Sequence, residues 1–155
     1  MAIFDAMLEF SDEQDISQAV GTAVATNQLD LVISDVNIGG GEPVWLNVKI
    51  GTEAVAEVED ATDGACTLVV KLVYDDTAVD ASSIVKYQTR ALTETELTAG
   101  AWVLRMPLPV AIDEERYVGL LYTIGGATSA VGTVNAWLDN GSSTDFNTQV
   151  AESNI

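Results

Sequence analysis

The sequence has no histidine and a single cysteine, Cys66, among 155 residues. Ser-His-Asp and Cys-His nucleophile systems are therefore excluded, as are histidine-held metals, an intrachain disulfide and a thiolate zinc cluster. Cations are nearly as scarce. Six Lys plus Arg stand against 24 Asp plus Glu, a formal net charge of −18. Such a chain lacks the basic footprint from which nucleic-acid affinity and adhesion to anionic membranes are drawn, so neither is an expected partner. No uncharged apolar window approaches the ~18 residues of a membrane helix. Residues 1–9 have neither the basic region nor the apolar run of a signal peptide.

What is present is apolar and patterned. Hydrophobic residues make up 48% of the chain, enough to offset chain entropy, and the length suits one domain. The dominant period is two. In Pro43-Val44-Trp45-Leu46-Asn47-Val48-Lys49-Ile50, the residues Val44, Leu46, Val48 and Ile50 share one face and Trp45, Asn47 and Lys49 the other. Residues 66–74 alternate likewise, and 101–106 form a shorter run ended by Pro107 and Pro109. Residues 116–124 are apolar on both faces, as in a central strand. Residues 132–139 set Val134, Ala136 and Leu138 against Thr133, Asn135 and Trp137. Weaker runs lie at 8–10, 27–32 and 83–89. With breakers between the runs, such as Gly39-Gly40-Gly41, Gly125-Gly126 and Asn140-Gly141, the fold class expected is all-β, an antiparallel β-sandwich of about eight strands. Helix is confined to a turn or two at 12–20 and 93–97. The expected division is a sandwich with an N-terminal arm over 1–139 and a polar tail over 140–155.

Candidate chemistry is thin. Glu57, Glu59, Asp60 and Asp63 form one acid cluster, and Asp75, Asp76 and Asp80 another. Neither has the spaced ligands, turn glycine and closing glutamate of an EF-hand, and acidic loops follow from the composition, so no metal or cofactor is expected. Three tryptophans could serve as sugar platforms beside a carboxylate pair. Trp102 and Trp137, however, lie in strands where a large ring is expected to fill the space between sheets, and Trp45 follows a glycine-rich turn. The triple glycine lacks the Lys-Ser/Thr of a phosphate loop, and Cys66 heads an apolar strand face without a base. No catalytic residue and no enzyme activity are expected.

Two segments need cover. Ile3, Phe4, Met7 and Leu8 make an apolar chain end, and Phe146, Val150 and Ile155 are isolated anchors in the polar tail. The N-terminal end is covered either by its own sandwich or by a neighbouring subunit, and both segments are candidate contacts between subunits and with a larger partner surface, because an acidic protein binds best through faces depleted of its own charge.

An ordered series of landmarks runs along the chain: Ile3-Phe4-Asp5-Ala6, Phe10-Ser11-Asp12 with Gln14, Thr26-Asn27, Leu29-Asp30, Gly41-Glu42-Pro43-Val44-Trp45-Leu46, Leu97-Thr98-Ala99-Gly100, Pro107-Leu108-Pro109, Arg116-Tyr117, Leu120-Leu121-Tyr122-Thr123 and Gly132-Thr133-Val134-Asn135-Ala136. From about residue 2 to about 139 it resembles the Bbp16-type capsid cement proteins of tailed bacteriophages. The order and spacing of these short elements carry the likeness. The resemblance implies a jelly-roll subunit, made in the host cytoplasm and placed on the outer capsid surface of the virion. There it would bind across neighbouring copies of the major capsid protein, and the subunit is expected to form a homo-oligomer of its own, dimer or trimer. It brings no catalytic residues. The acidic insertion around 53–63 and the tail beyond Asp139 depart from the family pattern. A carbohydrate- or receptor-binding sandwich on the virion, with Trp45 and the Asp75-Asp76 loop touching sugar, is the other reading.

Overall fold

Where apolar and polar residues alternate, the chain runs extended and pairs antiparallel. The computed structural model describes residues 8–31, 44–57, 66–108 and 115–139. In chain order the strands are β1 (Glu9–Asp15), β2 (Gly21–Val24), β3 (Leu29–Asp30), β4 (Trp45–Ile50), β5 (Ala56–Glu57) and β6 (Thr67–Asp75), then β7 (Ile84–Gln88), β8 (Leu92–Thr93), β9 (Trp102–Pro107), β10 (Tyr117–Gly125), β11 (Ser129–Val131) and β12 (Thr133–Asp139). A 3-10 turn occupies Glu94–Glu96, within the expected helical stretch 93–97.

Two sheets form the sandwich. One is four-stranded, β1-β12-β4-β9; the other is six-stranded, β2-β10-β6-β7 with β3 beside β10 and β8 beside β6. β5 and β11 pair separately. The steps β1 to β2, β4 to β6, β7 to β9 and β10 to β12 each cross between the two larger sheets, the order of a jelly roll. Eight strands thus carry the fold, and the others are two- or three-residue additions.

The alternation decides which face is buried. Leu46, Val48 and Ile50 of β4 and Val134, Ala136 and Leu138 of β12 meet Leu68, Val70 and Leu72 of β6 and Val118, Leu120, Tyr122 and Ile124 of β10 in one core. Each such side chain, fully removed from water, contributes about 1.5–3 kcal/mol before entropy is counted. β10 also buries its other face, where Leu121 packs with Val73 and Val79 outside the six-stranded sheet. That is the two-sided covering its composition anticipates.

One element differs from expectation. Residues 12–20, read from the sequence as a helical turn, instead continue β1 to Asp15. Two register irregularities against β12, between Glu9 and Ser11 and between Ser11 and Gln14, erase the alternation that marks a strand. Polar side chains hold the segment. Ser11 Oγ donates to Gln14 Oε1 at 2.6 Å and lies 2.8 Å from the buried Tyr122 hydroxyl, while Gln14 Nε2 donates to the Val24 carbonyl at 2.8 Å. The expected run at 27–32 also shortens to β3, and β2, β5, β8 and β11 are too short to show a period.

Glu13 fastens β1 to its neighbours. It adopts a left-handed φ of 44°, which an ordinary side chain takes up only when its surroundings enforce it. Its carboxylate accepts hydrogen bonds from Thr52 N at 2.9 Å, Thr52 Oγ1 at 2.8 Å, Thr133 Oγ1 at 2.8 Å and Asn135 Nδ2 at 2.7 Å. The Thr52 amide, followed by the Asn135 side chain, holds the Glu13 pKa down to about 2, against an ordinary 4.5. The folded value lies below the unfolded one, so the ionised form favours folding. This contribution is complete above about pH 4.5 and is lost as pH falls toward 2. Glu9, raised by burial and then by Asp12, and Glu115, raised first by its hydrogen bond with Asp76, act in the opposite sense. The contribution is therefore best read as a difference between proteins. In thermal unfolding, the stability gap between the wild type and Glu13→Gln is expected to be widest at neutral pH and to shrink steadily below pH 4.5. A gap undiminished at pH 3 would show that the carboxylate charge is not what these donors stabilise.

Candidate binding surface

The outer face of the four-stranded sheet is built by the residues that alternate with the core. On β4 these are Trp45, Asn47 and Lys49. Register places Trp137 and Arg105 on either side of Asn47, Asn135 and Trp102 on either side of Lys49, and Asp139 and Pro107 on either side of Trp45. Glu9 of β1 faces Trp137, so one row across the sheet reads Glu9, Trp137, Asn47, Arg105.

All three tryptophans of the chain therefore lie on this face. The expectation that Trp102 and Trp137 fill the space between the sheets is corrected here. Val134, Ala136 and Leu138 take the inward positions of β12, and the parity of the strand sends Trp137 outward. The rings of Trp102 and Trp137 approach across β4 with centroids 5.8 Å apart and planes tilted by 51°. Arg105 Cζ lies 4.6 Å and Lys49 Nζ 5.6 Å from the Trp102 centroid, each contact stabilising by about 0.5–1 kcal/mol at an exposed site. Trp102 remains 36% exposed.

Asn47 sits at the centre of this arrangement and is fully buried. Its Nδ2 makes one long hydrogen bond of 3.4 Å to the Trp45 carbonyl, and its Oδ1 has no partner. A buried amide oxygen left unpaired costs about 1–3 kcal/mol. The signal for this cluster was present in the sequence, since Trp45, Asn47 and Lys49 share one parity and Asn135 and Trp137 another. The pairing of β4 with both β12 and β9, which merges those sets, was not.

The acid clusters are committed elsewhere. Asp75 accepts from Thr77 N and Oγ1, both at 2.9 Å, and from Ser83 Oγ at 2.8 Å. Asp80 accepts from Ser82 N at 2.7 Å and Ser82 Oγ at 2.6 Å. These turn bonds pull both carboxyls below the usual aspartate range, the Thr77 amide acting first on Asp75 and the Ser82 hydroxyl first on Asp80. Asp76 and Asp80 face solvent. Glu57 lies in β5, while Glu59, Asp60 and Asp63 fall outside the described residues. Among the described residues, no group of three or more His, Cys, Asp or Glu is placed to hold a metal ion. Cys66 is buried in the core.

Of the chain-end candidates, Leu8 is half-buried and packs against the protein's own core. Ile3, Phe4, Met7, Phe146, Val150 and Ile155 lie outside the described residues.

A family model described as Bbp16 matches residues 10–138, from within β1 to within β12. No curated protein matches the chain.

Proposed function

Because the chain belongs to the Bbp16 family, we propose that it is a capsid cement protein, a structural subunit on the outer surface of a phage head that binds across neighbouring major capsid proteins. The observation that carries this reading is the extent of the match, residues 10–138, which takes in both sheets of the jelly roll. The physics of the task suits such a molecule. Packed DNA pushes a shell outward, and a subunit that binds the assembled shell but not free capsid protein stabilises assembly by mass action. Hundreds of copies multiply a modest gain at each site. In this reading no bond is made or broken by the protein, and its −18 charge keeps decorated particles soluble and apart. Ile3, Phe4, Met7, Leu8, Phe146, Val150 and Ile155 are assigned to contacts between copies and with the shell.

Purified heads are expected to carry the protein in fixed ratio to the major capsid protein. Heads lacking it should release DNA at a lower temperature, or at a milder osmotic shock, than heads with it restored. Protein found only free in the lysate, with bare heads equally resistant, would overturn the reading. Binding to glycans without binding to heads would move it to the receptor-binding class.

A further inference from the structure

We infer that the outer edge of β7 is a contact surface between copies of this chain, pairing antiparallel with the same edge of a second copy across a two-fold axis near Val85. The pairing is a property of the protein alone; its use between neighbouring copies on a shell rests on the cement reading. β7 ends the path β2-β10-β6-β7, and among the described residues it pairs with β6 alone. All five of its residues are exposed. Register sets Ile84 beside Tyr74 and Tyr87 beside Leu72, so both belong to the inward face, yet they are 50% and 36% exposed. Val85, beside Val73 on the outward face, is 44% exposed. The four-stranded sheet therefore stops short of β7, whose apolar side chains are bare on both faces. A terminal strand in this state is a template for a further strand.

The other edges of the two large sheets are blunted. β1 carries two register irregularities and β9 ends on Pro107. On β2, the Gly21 and Val24 carbonyls accept the side-chain amides of Gln18 at 3.4 Å and Gln14 at 2.8 Å. β7 has one irregularity, which makes Lys86 the extra residue against β6. Its Nζ lies 5.8 Å from the Tyr74 ring centroid, so the side chain turns back over its own sheet and not across the edge.

Charge selects a second copy as the occupant. Two chains of net charge −18 can meet only where carboxylates are not set against carboxylates, and residues 81–93 contain no Asp or Glu. Asp80 and Arg90 stand five residues before and five after Val85. Antiparallel pairing about Val85 therefore brings Asp80 of each copy toward Arg90 of the other, twice over, as a two-fold contact repeats every pair. Parallel pairing would stack like on like. Both groups are within reach: Asp80 faces solvent, and the Arg90 side chain is 65% exposed even beside Glu96. Size sets the strength. Five residues at ~3.3 Å make an edge about 17 Å long, far short of the ~800 Å² per side of a stable pair. Association in free solution is thus weak, and below its midpoint β7 stands open. Copies held side by side on a shell meet at effective concentrations of about millimolar, where so weak a contact closes.

The test is sedimentation equilibrium of the purified full-length protein from about 20 µM to about 2 mM, with half-association expected between about 0.1 and 1 mM. Val85→Asp and Val85→Lys, each folded by circular dichroism, are expected to associate at least tenfold more weakly, because each sets like charges together at the axis. An equimolar mixture of the two should recover association, since opposite charges then meet. Wild type that stays monomeric at 2 mM would overturn the inference, as would single variants that associate like the wild type. A mixture no better than its components would overturn the two-fold register. A monomeric wild type whose decoration of heads is lost in Val85→Asp would give the edge to the capsid protein in place of a second copy. Because the sedimentation measurement contains no heads, its result stands apart from the cement reading.

Discussion

Replacing Leu72 with alanine is expected to lower the melting temperature by roughly 5–15 °C. Leu72 is fully buried in β6, flanked on the same face by Leu120 of β10 and Tyr87 of β7. Truncating such a residue costs about 2–5 kcal/mol, from lost transfer energy and from the cavity left between two sheets that cannot close on it. For a domain of this length each kcal/mol shifts the midpoint by about 2–4 °C. Val85 provides the contrast. It lies one strand away, 44% exposed on β7, and Val85→Ala should change stability by less than about 0.5 kcal/mol. Calorimetry on the two proteins decides the matter. Equal shifts would mean that β7 is covered and the core does not end at β6.

Gly51→Ala is expected to destabilise by about 1–3 kcal/mol, the usual cost of overpacking, and to do so through Glu13. An added Cβ would sit 2.4 Å from Glu13 Oε2 and 2.4 Å from Thr133 Oγ1. The backbone cannot retreat, because Gly51 N donates to the Thr133 carbonyl at 2.8 Å and Gly100 N donates back to Gly51 O at 3.1 Å. Something must yield, and the carboxylate anchored by Thr52 and Asn135 is the most displaceable group. The two sites should therefore couple. In a Glu13→Ala background the same Gly51 change should cost clearly less, measured by urea unfolding of the four proteins of the cycle. Strict additivity would show that the glycine is required for another reason.

The long strands were legible because burial imposes period two directly on the residues. Val44 to Ile50 and Val134 to Leu138 show which face is inward without any knowledge of their partners. β1 was legible only at its start, in the weak run at 8–10, because beyond Phe10 the strand is held by the side-chain hydrogen bonds of Ser11, Glu13 and Gln14 and by offset register, which leave no trace in hydropathy. The tryptophan face was half legible. Parity placed Trp45 with Asn47 and Lys49, yet the size of an indole suggested a core role for Trp102 and Trp137, and only register across β12, β4 and β9 brings the rings to one outer surface. Register between strands far apart in sequence is a property of pairing, not of any local run of residues. The unpaired Asn47 oxygen is likewise visible only once its neighbours are in place.

The pairing of β1 with β12 has a mechanical consequence. The strands run antiparallel, with Glu9 opposite Trp137 and Asp15 opposite Thr133, so the first residue of β1 and the last of β12 emerge at the same end of the ladder. Hydrogen bonds between antiparallel strands lie perpendicular to them. Tension drawn between residues 9 and 139 would therefore open these bonds in series, one after another, as a zipper opens. A pull spread across the face of β4, which is bonded to β12 on one side and β9 on the other, loads both ladders together. A load applied through the face of the sheet would thus be resisted more strongly than one drawn between the ends of β1 and β12.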